Sequence, residues 1–204
     1  MATTVALLRT SHIEKFLHAG TLTTTTRPWT TTEIDAYTSA VLAELWPDVG
    51  VYATGDVASD STVMEYTIPG SIERPTLIDI LDSSGYYQDR VMSWRTLPAG
   101  KVLIKPRIAD NLTLRFTGYK PYAVDGTDLP VRLEQVVAFR SLARAYDGLA
   151  GELINSERQQ NLDSGRVISY QEAAQQSAFY EGKYRDAIIR DPSLVRSGPR
   201  ASHR

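Results

Sequence analysis

The sequence predicts an α+β fold: a helical bundle, made of N-terminal helices and a C-terminal helix pair, with an antiparallel β-module inserted into it. Three observations carry this. Residues 32–45 place apolar side chains at steps of three and four between an acidic start and a proline stop. Residues 49–122 change to short runs punctuated by Gly, Pro, Asn and Asp. After Pro130 a long apolar stripe of helical period returns. The expected boundaries are N-terminal helices over 1–48, the β-module over 49–128, the helix pair over 129–190 and a flexible tail over 191–204.

Residues 5–18 carry Leu7, Leu8, Ile13, Phe16 and Leu17, a weak helical period. "GTLTTTTRPWTTT" follows, too polar and β-branched for a helix. It reads as a surface loop or as an arm that orders against a neighbour. The next helix has Thr caps, Glu33 and Asp35 in its first turn to suit the helix dipole, and a stop at Pro47. Ile34, Tyr37, Val41, Leu42 and Leu45 share one face.

In the β-module, "EYTIPGSIERPTLIDI" reads as a strand, a Pro-Gly turn and a second strand. "RVMSW", "VLIKP" and "LTLRFTGY" continue it, for about five or six strands in two thin sheets or in one sheet on the helices. Then Phe139, Leu142, Tyr146, Leu149 and Leu153 step by three and four, as a helix packed lengthwise on another requires. That partner is "ISYQEAAQQSAFYEGKYRDAII", with Ala173, Tyr180, Tyr184 and Ala187, and Ala174, Ala178 and Ile188 beside them, on its buried side. "NLDSGR" is the expected hinge, and Asp191 and Pro192 stop the second helix.

Composition narrows the function. The 204 residues are 42% hydrophobic and 23% charged with net charge −2, so strong electrostatic gripping of nucleic acid is not expected. With no Cys there is no disulfide, thiolate metal site or cysteine nucleophile. A basic leader with an apolar run, and a span of about 18 apolar residues, are both missing. The expectation is a chain made in the cytosol, or assembled there into something larger, with no membrane partner.

The motifs offer little chemistry. His12 and His18 lie too far apart for an i, i+4 metal pair, and His203 is in the tail. Phosphate-binding glycine loops and a nucleophile elbow are absent. Asp56 with Asp60, and Asp79 with Asp82, read as solvated turn or strand-end acids, with a loose calcium site at the first pair as the sharper reading. Trp46 and Trp94 are expected in the core, and Trp29 is open. Lys101, Lys105, Arg107, Arg115 and Lys120 form either a solvated face or a positive strip for a partner. The expectation is a chain without catalytic activity, metal or cofactor.

The order of elements then resembles a known family. Trp29 to Glu33 is similar to a "W-[ST]-x-x-E" helix start, and Tyr66 to Pro69 to a "Y-x-x-P" strand end. Trp94, Arg95, Gly100, Leu103 and Ile104 are similar to a "W-R…G-x-L-x-[IL]" strand pair. Together, over most of the chain, these resemble the head-to-tail adaptor (connector) proteins of tailed bacteriophages with siphovirus-type tails. The resemblance implies a structural virion protein, assembled in the host cytoplasm and placed at the head–tail interface. Its subunits would form a ring, usually of twelve copies, beneath the portal protein. The ring would extend the DNA channel, let DNA pass without specific binding, and dock the next connector or tail protein. Another virion ring (a stopper or tail terminator) is the near alternative, and a carbohydrate-binding β-module protein the distant one. The tail pairs a small apolar anchor, Leu194 and Val195, with Arg196, Arg200 and Arg204. Those five residues are the expected portal-binding site.

Overall fold

The computed structural model describes residues 3–17, 22–24, 28–46, 49–156, 160–161 and 167–190. They divide into two compact units, a helical one up to Val49 and from Tyr122 onward, and a β unit spanning Gly50–Pro121.

In the helical unit, Thr4 caps α1 (Val5–Leu8) by accepting from the Leu7 amide. The helix then widens into a π-helical turn, Arg9–Ile13, and resumes as α2 (Glu14–Leu17). The weak period of the sequence reflects that interruption, since a π-turn shifts the apolar face. Leu8, Ile13 and Leu17 are nonetheless fully buried.

Helix α3 (Thr31–Glu44) opens on a capping box. Thr30 Oγ1 accepts from the Glu33 amide at 3.2 Å, and Glu33 Oε2 accepts from the Thr30 amide at 2.7 Å. Each side chain satisfies an amide that the first helical turn leaves unpaired. Thr30→Ala should lower stability by about 1 kcal/mol, read from the urea midpoint at unchanged slope. Just outside the cap, Trp29 turns into the core and its Nε1 donates to the Ala145 carbonyl at 3.0 Å.

Helix α4 (Val131–Ser156) is the axis of this unit. Its middle is buried on several sides, through Val136, Val137, Ala138, Ser141, Leu142, Ala143, Ala145, Tyr146, Leu149 and Ala150. The small residues let α3, the N-terminal helix and α5 (Tyr170–Arg190) all approach it. Gly148 belongs to that set, because a Cβ there would lie 2.8 Å from Tyr37 Oη. Ser141 and Thr38 satisfy their buried hydroxyls on the carbonyls one turn earlier, Val137 and Ile34. Tyr146 joins four elements: its ring stacks on Tyr180 at 5.9 Å, meets Trp29 edge-on at 5.1 Å, and its hydroxyl donates to the Phe16 carbonyl at 3.0 Å.

The buried side of α5 is narrower than the sequence suggests. Ala173 and Tyr180 are buried, Ala174, Tyr184, Ala187 and Ile188 are half-buried, and Ala178 faces out. A two-stranded ribbon, β8 (Gln160–Asn161) with β9 (Val167–Ile168), lies between the two helices. Beyond Asn161, the expected hinge lies outside the described residues, as do residues 20–21 and 25–27 of the Thr-rich stretch and the stops at Pro47, Asp191 and Pro192.

The β unit holds seven strands in two antiparallel sheets: β1 (Val51–Ala58), β2 (Glu65–Thr67), β3 (Arg74–Leu81), β4 (Tyr87–Arg90), β5 (Trp94–Leu97), β6 (Lys101–Ile104) and β7 (Thr113–Lys120). One sheet runs β1-β7-β3-β4, the other β2-β6-β5. Ile78, Leu114 and Phe116 from the first and Tyr66, Val102 and Ile104 from the second share one apolar core.

The stretch "EYTIPGSIERPTLIDI" is therefore not a hairpin. Its first strand, β2, pairs with β6 and its second, β3, with β7 and β4. The Pro69–Ile72 corner carries the chain between sheets, closed by Ile72 N to Pro69 O at 2.9 Å. Two glycines make room for it. A Cβ on Gly55 would stand 2.5 Å from Pro69 Cβ, and one on Gly118 2.2 Å from the Arg74 carbonyl. "RVMSW" is also divided: β4 ends at Arg90 and β5 begins at Trp94. Trp94 and Trp46 are half-buried, at the rim of packing rather than inside it.

Candidate functional site

An organised polar surface lies on the outer face of the four-stranded sheet. Strand register places Asp56 of β1 opposite Arg115 of β7, Arg115 opposite Asp79 of β3, and Asp79 opposite Arg90 of β4. The four form one row across the sheet in which the charge alternates at every strand. Arg115 grips Asp56 with both prongs, Nε to Oδ1 at 2.9 Å and Nη2 to Oδ2 at 2.8 Å. Arg90 Nε donates to Asp79 Oδ1 at 2.9 Å. Bidentate, charge-assisted bonds are the stronger kind of exposed ion pair.

The hydrogen bonds from Arg115 hold the Asp56 carboxyl below the usual carboxylate range. A lowered folded pKa adds stability above the unfolded value, near pH 4, which is lost as pH falls through the folded one. Asp56→Asn should thus reduce stability near neutrality but flatten its decline in acid, as urea unfolding across an acid series would record. Partial exposure keeps the difference small.

The helical unit carries a second polar feature, an open cleft of about 630 Å³ lined by Tyr37, Arg140, Arg144, Asp147, Glu181 and Arg185 among others. Glu44 pairs with both Arg140 and Arg144, and Glu181 with Arg140 and Arg185. Arg140 also lies over the Tyr184 ring at 5.3 Å. Burial, then the nearby Glu33 carboxylate, push the Tyr37 hydroxyl above its ordinary pKa. Each guanidinium is already engaged by Glu44 or Glu181, so the cleft is a charged seam along the helices.

The residues singled out in the sequence are dispersed. Leu194, Val195, Arg196, Arg200 and Arg204 lie outside the described residues, as do His18 and His203. His12 sits in the π-turn and pairs with Glu134 of α4 at 3.0 Å. Asp56 and Asp79 are strand residues committed to arginines, while Asp60 accepts from Thr62 and Asp82 from the Ser84 and Tyr86 amides. Among the described residues no group of three or more His, Asp or Glu is placed to hold a metal ion.

The cationic strip does not form. Arg115 belongs to Asp56 on one sheet, and Lys101 faces Glu65 at 3.9 Å on the other. What sequence reasoning missed is the charge row, because "ATGDV", "LIDIL", "YQDRV" and "TLRFT" reveal no relation until register is known. The residues of the resemblance, by contrast, sit at joints of the fold. Thr30 and Glu33 are the α3 capping box, Trp29 is its anchor on α4, and Trp94 pairs with Ile104, and Arg95 with Leu103, in the β5–β6 hairpin.

No family model and no curated protein matches the chain. One solved structure similar to it is described as "Neck of empty GTA particle computed with C6 symmetry". The likeness covers 86% of this chain and 89% of that one at 14% identity, with a TM-score of 0.33. A score of that size does not establish a common fold, so the chain's own residues carry the functional reading. Among the described residues, no helix is long and apolar enough to cross a membrane.

Proposed function

We propose that the chain is a structural virion protein, a head-to-tail connector adaptor without catalytic activity. Its subunits form a ring beneath the portal that extends the DNA channel and docks the next connector or tail protein. What supports this best is the order of residues that resemble the motifs of such adaptors: Trp29, Thr30 and Glu33, then Tyr66 and Pro69, then Trp94, Arg95, Gly100, Leu103 and Ile104. They occupy a helix start, a sheet-to-sheet corner and a hairpin, positions that fix a framework. A second support is charge. The net charge of −2, with arginines committed to carboxylates, suits a channel wall that does not hold the passing DNA.

The test is mass measurement of the purified chain with and without the portal protein of the same particle, for the full chain and for one ending at Asp191. The full chain should join the portal in many copies. The shortened chain should fold equally well but attach far less, because Leu194, Val195 and the three tail arginines are the proposed portal contact. A full chain that ignores the portal overturns the adaptor role. Equal attachment of both chains removes the tail from it.

A further inference from the structure

The charge row of the four-stranded sheet ends on opposite charges at its two edge strands, and we propose that these edges join: β4 of one copy pairs antiparallel with β1 of the next, Arg90 beside the neighbour's Asp56. The seam deepens the adaptor reading and rests on it for the claim that many copies repeat one contact.

The charge row comes first. From edge to edge it reads Asp56, Arg115, Asp79, Arg90. Side by side, two copies bring the cation at the end of one row to the anion at the start of the next, and the alternation continues unbroken. Both end residues are accessible, with side chains 44% and 47% exposed. Contacts between two β1 edges or two β4 edges lack this complement, so the arrangement favours a heterologous contact over a two-fold dimer. Strand direction agrees. Each neighbour in β1-β7-β3-β4 is antiparallel, so β4 runs opposite to β1, and a second β1 laid beside β4 is again antiparallel.

Backbone polarity selects the register. The Val91 amide donates inward to Ile78 of β3, so strand alternation aims the Arg90 amide and carbonyl outward. No strand takes that amide; it donates to Asp89 Oδ1 at 2.7 Å. On β1, the Ser59 amide donates inward to Leu112, so Asp56 and Ala58 present their backbone groups outward. The Thr54 carbonyl, of the same parity, accepts from Ser71 Oγ at 3.2 Å, which limits the free stretch to residues 55–58. Arg90 opposite Asp56 is thus a register in which outward donors meet outward acceptors, and because the β3–β4 pairing shifts register between Ile80 and Leu81, leaving Gln88 out of the ladder, the seam centres on that one pair. Charged residues on an edge commonly prevent pairing. Here they exclude like edges and admit the unlike one.

The chain has no natural cysteine, so cross-linking reads the seam directly. Ala58→Cys and Gln88→Cys chains, which keep Asp56 and Arg90 and lie beside them on the two edges, are made singly, mixed, and combined in one chain, then treated with a short bis-maleimide at rising protein concentration. Light scattering follows untreated wild type, with and without the portal. Mixing the single variants should give a cross-linked dimer, the double variant a ladder of trimers and above, and each single variant alone only monomer. Circular dichroism checks that the variants fold. Wild-type oligomers without the mixed cross-link overturn the seam and leave the ring reading standing. Same-residue dimers outweighing mixed ones also overturn it. No cross-link and no oligomer, portal present or absent, overturns both.

Discussion

Trp29→Ala should destabilise the helical unit by about 3–5 kcal/mol, the range for removing a large buried aromatic. Trp29 is 3% exposed and lies outside the first turn of α3, yet its ring packs edge-on against Tyr146. Truncation leaves a cavity between the start of α3 and the middle of α4, and α4 cannot collapse into it while Tyr180 and the N-terminal helix hold its other sides. The Ala145 carbonyl also loses the Nε1 donor. Trp29→Phe separates the two losses, since it keeps most of the ring and gives up the hydrogen bond. Urea unfolding should rank wild type, Phe and Ala in that order. An Ala variant within about 1 kcal/mol of wild type would show that the indole is not an anchor.

Gly118→Val should damage the β unit strongly as well. Even a Cβ at Gly118 would come within 2.2 Å of the Arg74 carbonyl and 2.8 Å of Pro75 Cα, and both are backbone. A flexible side chain could swing aside, but here strand β3 must move, and β3 is central to its sheet. Overpacking of this kind costs about 1–3 kcal/mol and occasionally more, and two backbone clashes put the variant at the upper end. Gly70, where an added Cβ meets nothing within 4 Å, is the control. Gly70→Ala should leave the midpoint nearly unchanged while Gly118→Val loses the cooperative transition of the β unit or shifts it strongly.

What the sequence revealed depended on how local the cause was. The start of α3 was legible because Thr30 and Glu33 satisfy each other's amides three residues apart. The α4 stripe was legible because Leu142, Tyr146, Leu149 and Leu153 share one helical face. Strand β1 was not seen as an element. "VYATGDVA" alternates in burial, but its inward residues include Ala53 and Gly55, so the hydrophobic contrast is slight. The Pro-Gly turn between two strands was legible, but a turn's residues do not record which sheet each flanking strand joins. The π-turn left only a weakened period. The charge row depends on four strands far apart in sequence and was out of reach.

The insertion of the β unit also fixes an order of events at the ribosome. Gly50–Pro121 is continuous, so all its strands can pair as soon as β7 has emerged. Helix α3 and the helices before it are synthesised earlier, yet the face they offer to the bundle core, Ile13, Leu17, Trp29 and Ile34, finds its main partner only in α4. For the whole interval in which the β unit is translated, at about 5–20 residues per second, the part of that face that α4 covers has no native partner. That early face is the nascent surface on which a chaperone would act.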